Sequence, residues 1–200
     1  MPRLQETCCP RCARPLPGAR DGGEICGRCL ADPPPYDRTL AAFRYNFPLD
    51  KLVQTFKYRH RLALAAFFGE QLAALTGQPL ADLIVPLPLH SERLRKRGFS
   101  QALELARPVA AAWQLPIVAS SCQRVRNTAA QADLPWRERV KNMRGAFHCC
   151  ADFTGQRIIV VDDVMTSGAS LAECARTLKL HGATEVMALV LARALPKVNA

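Results

Sequence analysis

The chain has 200 residues, of which 49% are hydrophobic, and a formal net charge of +10. This length and composition suit one domain of ordinary size with a small appendage, and they exclude a disordered polar chain. No apolar run reaches the roughly 18 residues of a membrane-spanning helix. The amino terminus lacks the apolar stretch of a signal peptide, so we expect a cytoplasmic protein in which disulfides do not form.

Nine cysteines are many for such a protein, and four of them form two Cys-x-x-Cys pairs. Cys9 and Cys12 form the first pair, and Cys26 and Cys29 form the second. Four thiolates in two such turns are typical ligands of a structural zinc ion. The turn-rich segment between the pairs has almost no core and needs a metal to fold. Cys8 is an alternative to Cys9 as a ligand, and a redox-active pair or an iron–sulfur cluster is an alternative interpretation of the pattern.

Residues 1–35 are predicted to form this zinc-binding module, and residues 36–200 to form a second domain. In the second domain, short apolar strands alternate with helices of 3.6-residue periodicity. Such alternation predicts an α/β fold with a mainly parallel sheet and flanking helices. The expected strands are 38–47, 83–85, 115–118, 158–161 and 186–192, and the expected helices follow Pro48, Ser100, Pro135 and Ser170.

The most informative run covers residues 158–170, with the sequence IIVVDDVMTSGAS. Four β-branched apolar residues predict a buried strand, and Asp162 and Asp163 follow at its carboxyl end. A turn with hydroxyl side chains and one glycine then leads into a helix, which is a typical phosphate-binding arrangement. The two carboxylates suit ribose hydroxyls, or a divalent metal that neutralises a diphosphate. Two acids after a strand are often only structural, but the hydroxyl-rich turn makes ligand binding the better interpretation.

A second candidate site follows the strand predicted at 83–85. The proline-rich loop 86–90 leads into residues 93–97, where four of five residues are cations. Arginine binds phosphate oxygens in a bidentate manner, so this stretch suits a diphosphate. The alternative is a solvated helix start. Cations at the amino end of a helix oppose its macrodipole unless an anion joins them, and this conflict favours a ligand.

A third element is the polar segment 124–131, with the sequence RVRNTAAQ. It is either a mobile lid that excludes water from a reactive site or an ordinary surface loop. It belongs to a basic stretch, because residues 90–144 contain eleven Lys or Arg and four Asp or Glu, a net charge of +7. A basic surface of this kind suits the phosphates of a small substrate or of a nucleic acid, and it also occurs as a merely soluble face.

Together these motifs resemble the ComF family, which includes the GntX-type proteins. The resemblance spans nearly the whole chain and is carried by the two Cys-x-x-Cys pairs, by the segments 85–90, 93–101, 126–131 and 144–147, and by the acidic run 158–170. Ser100 departs from the family pattern, in which asparagine is more common. The family is similar to the type I phosphoribosyltransferases, so the resemblance implies their fold for residues 36–200, with the cysteine module attached.

The resemblance also implies roles in binding phosphoribosyl pyrophosphate (PRPP). Asp162 and Asp163 would hold the ribose hydroxyls and form the catalytic centre. The 5′-phosphate would be bound by Thr166, Ser167, Gly168, Ala169 and Ser170. The pyrophosphate, with Mg²⁺, would be bound by Leu87, Pro88, Leu89, His90, Arg93 and Arg97. The lid segment would add Arg126, Thr128 and Gln131.

The activity implied is a phosphoribosyl transfer that displaces pyrophosphate from PRPP and uses an unidentified acceptor. The family is associated with DNA uptake and use during natural competence, which implies single-stranded DNA and a helicase-like uptake protein as partners. The cofactors expected are structural Zn²⁺ and substrate-bound Mg²⁺. Two other functions stay open at this point, a non-catalytic protein that binds single-stranded DNA and a regulator that senses PRPP.

Overall fold

A computed structural model describes residue 4 and residues 7–18, 23–58, 63–127 and 142–195. The helices in these ranges are α1 (Gly27–Ala31), α2 (Leu49–Tyr58), α3 (Ala63–Ala73), α4 (Ser91–Arg97), α5 (Gln101–Trp113) and α6 (Ala169–Leu180). The strands are β1 (Arg38–Arg44), β2 (Leu83–Pro86), β3 (Cys122–Arg124), β4 (Phe147–Cys149), β5 (Arg157–Met165) and β6 (Glu185–Arg193). None of the helices described has the length and hydrophobicity to cross a bilayer.

The main sheet has the strand order β1-β6-β5-β2, and every neighbouring pair is parallel. The strands β5 and β6 are central and nearly continuous apolar runs, as expected for strands that are covered on both faces. All four strands therefore end at one edge of the sheet, where ligands bind in open α/β folds. The predicted α/β class with a parallel sheet is confirmed.

Alternation along β5 distributes its side chains between two hydrophobic layers. Ile159 and Val161 pack with α2, α3 and α5 on one face of the sheet. Ile158 and Val160 pack with α6, the strands β3 and β4, and the cysteine module on the other face. The cysteine module is thus continuous with the core of the main domain, although the domain boundary near residue 35 stays a prediction.

Several elements differ from the expectations. The strand predicted at 115–118 is reduced to a single parallel bridge between Ile117 and Ile84. Pro116 has no N–H to donate, and only its carbonyl takes part, by accepting a hydrogen bond from the Ile84 N–H at 2.9 Å. The antiparallel pairing of β3 with β4 was not predicted, and it makes Arg124 the last residue of a strand. The helix expected after Pro135 falls outside the described residues.

The close packing of α3 on α5 depends on the absence of a side chain at Gly69. A Cβ atom at this position would lie 2.0 Å from Pro108 Cγ and 3.0 Å from the Leu105 carbonyl oxygen. Both neighbours belong to α5, so the helices would have to separate.

We predict that Gly69→Ala lowers the free energy of unfolding by about 1–3 kcal/mol, because overpacking outweighs the better helix propensity of alanine. Gly77→Ala is the control, since a Cβ there meets no atom within 4 Å, and it should change stability by less than about 0.5 kcal/mol. Urea denaturation measures both variants. Equal stabilities would mean that this helix contact tolerates expansion.

Candidate functional site

A pocket of about 330 Å³ lies at the carboxyl edge of the sheet, between the ends of β2 and β5. Five parts of the chain form it: α2, the loop after β2 with α4, the start of α5, the end of β3, and the segment from β5 into α6. The predicted residues that line it are Asp162, Asp163, Thr166, Gly168, Ala169, Ser170, Leu87, Pro88, Leu89, Arg93 and Arg97. Segments that are far apart in sequence thus meet at one site.

Asp162 and Asp163 lie within β5 rather than after it, because the strand continues to Met165. Asp162 is paired with Val190 of β6, and its Oδ1 atom accepts a hydrogen bond from the Asp163 N–H at 2.8 Å. The expectation that the strand ends at residue 161 was wrong by four residues. The strand continues because the backbone of acidic residues still forms the hydrogen bonds of the sheet when their side chains face polar groups.

Lys57 of α2 forms an ion pair with Asp163, with 2.8 Å between Lys57 Nζ and Asp163 Oδ2. This residue was not predicted from the sequence. Its signal was a lysine on the buried stripe of α2, four residues after the fully buried Val53. A cation at a core position of a helix indicates a buried partner.

The electrostatics of the acidic pair follow from burial and mutual repulsion. Burial, and next the charge of Asp163, raise the pKa of Asp162 to about 7. Burial acts to lower the pKa of Lys57, but the carboxylates of Asp163 and Asp162 outweigh it and the pKa is raised. In the ligand-free protein, Lys57 therefore stays charged and neutralises Asp163, while Asp162 is partly protonated near neutral pH.

The hydroxyl-rich turn brings backbone N–H groups to the pocket at the start of α6. Gly168 precedes the helix with a φ of +79°, and a Cβ there would lie 2.8 Å from Met165 Cε and 2.9 Å from Tyr36 Oη. Only glycine fits this turn without strain. Ser167 is buried and does not line the pocket, and its hydroxyl accepts a hydrogen bond from the Ala169 N–H at 3.3 Å. The positive end of the α6 macrodipole faces the space where an anion would lie.

The basic residues after β2 belong to a separate short helix, α4, and three cations lie in its last turn. These cations do not oppose the macrodipole, contrary to the prediction, because cations at the carboxyl end of a helix are stabilised. Gly98, with a φ of +77°, ends this helix and could not be recognised as its boundary from the charge pattern. His90 caps the amino end, where its Nδ1 accepts from the Glu92 N–H at 3.3 Å, and it does not line the pocket.

Among the described residues 124–127 of the lid segment, Arg124 at the end of β3 lines the pocket. Burial, and next the charge of Arg93, lower the pKa of Arg124 to about 10. Arg126 is exposed, and its guanidinium donates a hydrogen bond to the Arg144 carbonyl rather than facing the pocket. Thr128 and Gln131 lie outside the described residues.

The four predicted cysteine ligands converge on one point. Cys9, Cys12, Cys26 and Cys29 are all buried, and their sulfur atoms lie within 4.8 Å of one another. The distance between Cys12 Sγ and Cys26 Sγ is 3.7 Å, which matches the edge of about 3.8 Å of a tetrahedron with Zn–S bonds of about 2.3 Å. Cys8 is not part of the cluster. This spacing leaves room for one ion rather than a multi-iron cluster, so the donor set fits zinc.

The ionisation of these thiols also suits a cation. Burial raises the pKa of Cys12 and of Cys29, so thiolates there need a positive charge beside them. Burial opposes ionisation of Cys26 as well, but hydrogen bonds from Cys29 and its neighbours outweigh it and lower its pKa to about 7. The Cys26 N–H also donates a hydrogen bond to Cys9 Sγ at 3.4 Å.

A second pocket, of about 410 Å³, lies where the cysteine module meets the start of α6. Cys12, Cys29 and Tyr36 form part of one wall, and Ser167 and Gly168 form part of the other. Gly168 and Ala169 border both pockets. The phosphate-type turn therefore lines the acidic pocket on one side and faces the cysteine module on the other.

The parallel sheet, the acidic strand and the turn before α6 define a protein of the phosphoribosyltransferase class, and the family profile named Phosphoribosyl transferase domain matches residues 95–198. The chain belongs to the ComF family. It is 36% identical to the DNA utilization protein YhgH of Salmonella typhi over 96% of this chain and 87% of that protein. It is 31% identical to Competence protein F of Haemophilus influenzae over 84% of this chain and 78% of that protein.

Among solved structures, the chain is similar to the glutamine PRPP amidotransferase from B. subtilis in complex with ADP and GMP. The TM-score is 0.46 and the identity 20%, and the match covers 64% of this chain and 26% of that enzyme.

We predict that Asp162→Asn stabilises the ligand-free protein increasingly as pH rises. A carboxyl group whose pKa is raised in the folded state destabilises the folded protein once it is ionised. The wild type therefore loses stability as the pH rises from about 4 to about 7. Asparagine keeps the acceptor for the Asp163 N–H without this loss. From pH 5 to pH 8 the variant should gain about 1–3 kcal/mol over the wild type in urea denaturation. A difference that is constant with pH would contradict the raised pKa.

We also predict that Cys12→Ser abolishes stoichiometric zinc binding, whereas Cys150→Ser does not. Cys150 is exposed and lies outside the cluster, so it serves as the matched control. Elemental analysis of purified proteins should give about one zinc per chain for the wild type and the control. A chelator should lower the melting temperature of both, because the module depends on the metal for folding. Full zinc content in Cys12→Ser would remove this residue from the ligand set.

Proposed function

We propose that the protein binds PRPP as its Mg²⁺ complex in the 330 Å³ pocket and transfers the phosphoribosyl group to an acceptor. The observation that carries this proposal is the meeting of the acidic pair, the turn before α6 and four cations in one pocket. Those cations are Lys57, Arg93, Arg97 and Arg124. In this proposal, the acidic pair binds the ribose hydroxyls and the turn binds the 5′-phosphate.

The charge of the pocket supports a highly anionic ligand. Four cations face two carboxyl groups, and the raised pKa of Asp162 reduces the negative charge further near neutral pH. A diphosphate between α4 and β3 would receive hydrogen bonds from arginine side chains, which match phosphate geometry. Two carboxylates with substrate phosphates are also a typical environment for Mg²⁺, which keeps most of its water ligands. The residues present thus fit a metal that arrives with the substrate.

In the transfer, the bond between the anomeric carbon and the pyrophosphate oxygen breaks, and a bond from the acceptor to that carbon forms. The arginines would stabilise the charge on the departing pyrophosphate, while the acidic pair would stabilise the positive charge that develops on the sugar. Mg²⁺ bound to the pyrophosphate would supply further neutralisation. The acceptor attacks the anomeric carbon with its lone pair, and a proton that it loses passes to the departing pyrophosphate or to solvent.

A role in DNA utilisation is the second part of the proposal, and it is supported by the names of the related proteins. Direct binding of single-stranded DNA by aromatic stacking has less support. Phe99 packs on Phe56 with ring centroids 5.6 Å apart, and Trp113 is buried, so neither offers an exposed platform. Trp136 lies outside the described residues. The helicase-like partner stays a prediction from the family resemblance.

The experiment is a calorimetric titration of Mg²⁺-PRPP into the zinc-loaded protein. We expect binding with a Kd below about 1 mM, and a loss of at least about 100-fold in affinity for Asp162→Asn/Asp163→Asn. The control Glu24→Gln/Glu70→Gln changes the net charge equally at two exposed positions and should bind like the wild type.

No binding by folded, zinc-loaded wild type would refute the proposal and favour a nucleic-acid-binding role. Equal affinities in the two double variants would mean that the acidic pair does not determine PRPP binding. Release of pyrophosphate on addition of candidate bases and amines would then separate transfer from binding alone.

A further inference from the structure

Arg193 is the last residue of β6 and is a charged side chain almost completely removed from solvent, with 1% of its surface exposed. Its strand neighbours are Arg44 of β1 and Met165 of β5. It therefore lies at the carboxyl edge of the sheet, beside the start of the turn that leads into α6. A charge in such a position costs folding free energy unless hydrogen bonds compensate it.

The hydrogen bonds of Arg193 go to backbone carbonyl oxygens in three parts of the chain, one of which is its own neighbour Ala194, whose carbonyl accepts from Nη1 at 2.5 Å. Its Nη1 atom donates to the carbonyls of Met165 at 2.9 Å and of Thr166 at 2.6 Å, which begin the phosphate-type turn. Its Nε atom donates to the carbonyl of Cys12 at 2.8 Å, which is one of the four cysteine ligands. One rigid guanidinium thus joins the turn to the metal module.

The first cysteine pair is fixed from the main domain at three successive carbonyls. The Thr39 N–H donates to the Pro10 carbonyl at 2.8 Å, and the Thr39 hydroxyl donates to the Arg11 carbonyl at 2.6 Å. The next carbonyl, that of Cys12, accepts from Arg193. The backbone conformation between Cys9 and Cys12 determines where their sulfur atoms lie. The same backbone therefore positions the metal ligands and provides the carbonyl that accepts from the guanidinium.

A second contact reinforces the turn from the same side. Tyr36 follows the three prolines that end the module, and its hydroxyl lies against Gly168, the residue before α6. These same parts of the module and the turn form part of the wall of the 410 Å³ pocket. The sheet and the cysteine module therefore both contact the turn.

We propose that Arg193 is a positioning residue through which the metal-bound cysteine module orders the phosphate-binding turn. A metal bound to the module fixes the Cys12 peptide, whose carbonyl is the acceptor of Arg193 Nε. Arg193 is then held in place and fixes the Met165 and Thr166 carbonyls. The N–H groups of the turn therefore face the ligand. The consequence for PRPP affinity rests on the proposed function, whereas the order of the turn does not.

Lysine cannot replace arginine in this role. A single ammonium group can serve either the turn or the Cys12 carbonyl, but it lacks the planar fork that reaches both. Arg193→Lys therefore keeps the charge and removes the connection. Arg157→Lys is the matched control, because Arg157 also lies at a strand end with three hydrogen bonds to one partner, Asp82, at the opposite edge of the sheet.

The test is hydrogen–deuterium exchange of the full-length, zinc-loaded proteins, followed at residues 165–170 by mass spectrometry. We expect Arg193→Lys to raise exchange there at least about tenfold, to speed zinc transfer to a chelator by a similar factor, and to weaken Mg²⁺-PRPP binding about tenfold or more. Arg157→Lys should leave all three readouts within about twofold of the wild type, even where it lowers the melting temperature.

Unchanged exchange at 165–170 in folded Arg193→Lys would overturn the proposal. If that variant does not fold, the wild type decides the question, because removal of zinc by a chelator should raise exchange at 165–170 and unchanged exchange would overturn the proposal equally. Failure of the wild type to bind Mg²⁺-PRPP would refute the proposed function alone, since exchange and zinc transfer still report on the coupling.

Discussion

The parallel pairing of β5 with strands on both sides is the constraint on which the rest of the molecule depends. Because β2 and β6 run in the same direction as β5, the ends of all three strands meet at one edge, and the acidic pair lies between them. Both faces of β5 must then be covered by helices or by the cysteine module. The pocket, the turn before α6 and the contact with the module all follow from the position of this strand.

The acidic pair is sustained by charges that come from other elements. Two neighbouring carboxyl groups in a partly dry site repel each other, and the protein reduces the repulsion with Lys57 at Asp163 and with a raised pKa at Asp162. Additional arginines beyond this ion pair make the pocket as a whole cationic. This composition fits the sugar-phosphate ligand that we propose for the pocket.

The cysteine module is part of this arrangement rather than an independent attachment. Its four buried cysteines pack in the same hydrophobic layer as α6, and its backbone carbonyls accept hydrogen bonds from β1 and β6. The module and the turn contact each other across the 410 Å³ pocket. The module therefore contacts the turn before α6 at the same edge of the sheet as the acidic pair.

The sequence by itself determined those features that are formed by residues close together along the chain. The run of β5 with its acids and hydroxyl-rich turn, and the spacing of the two cysteine pairs, depend on local backbone periodicity and local turns. Only the tertiary structure decided which distant groups reach these features. Lys57 and Arg124 are far from the acidic pair along the chain, and Arg193 is 181 residues from Cys12. Such contacts depend on strand order and helix packing, which a local sequence pattern does not contain. The end of α4 at Gly98 was likewise decided by the structure, and it places the cations at the carboxyl end of that helix rather than at an amino end.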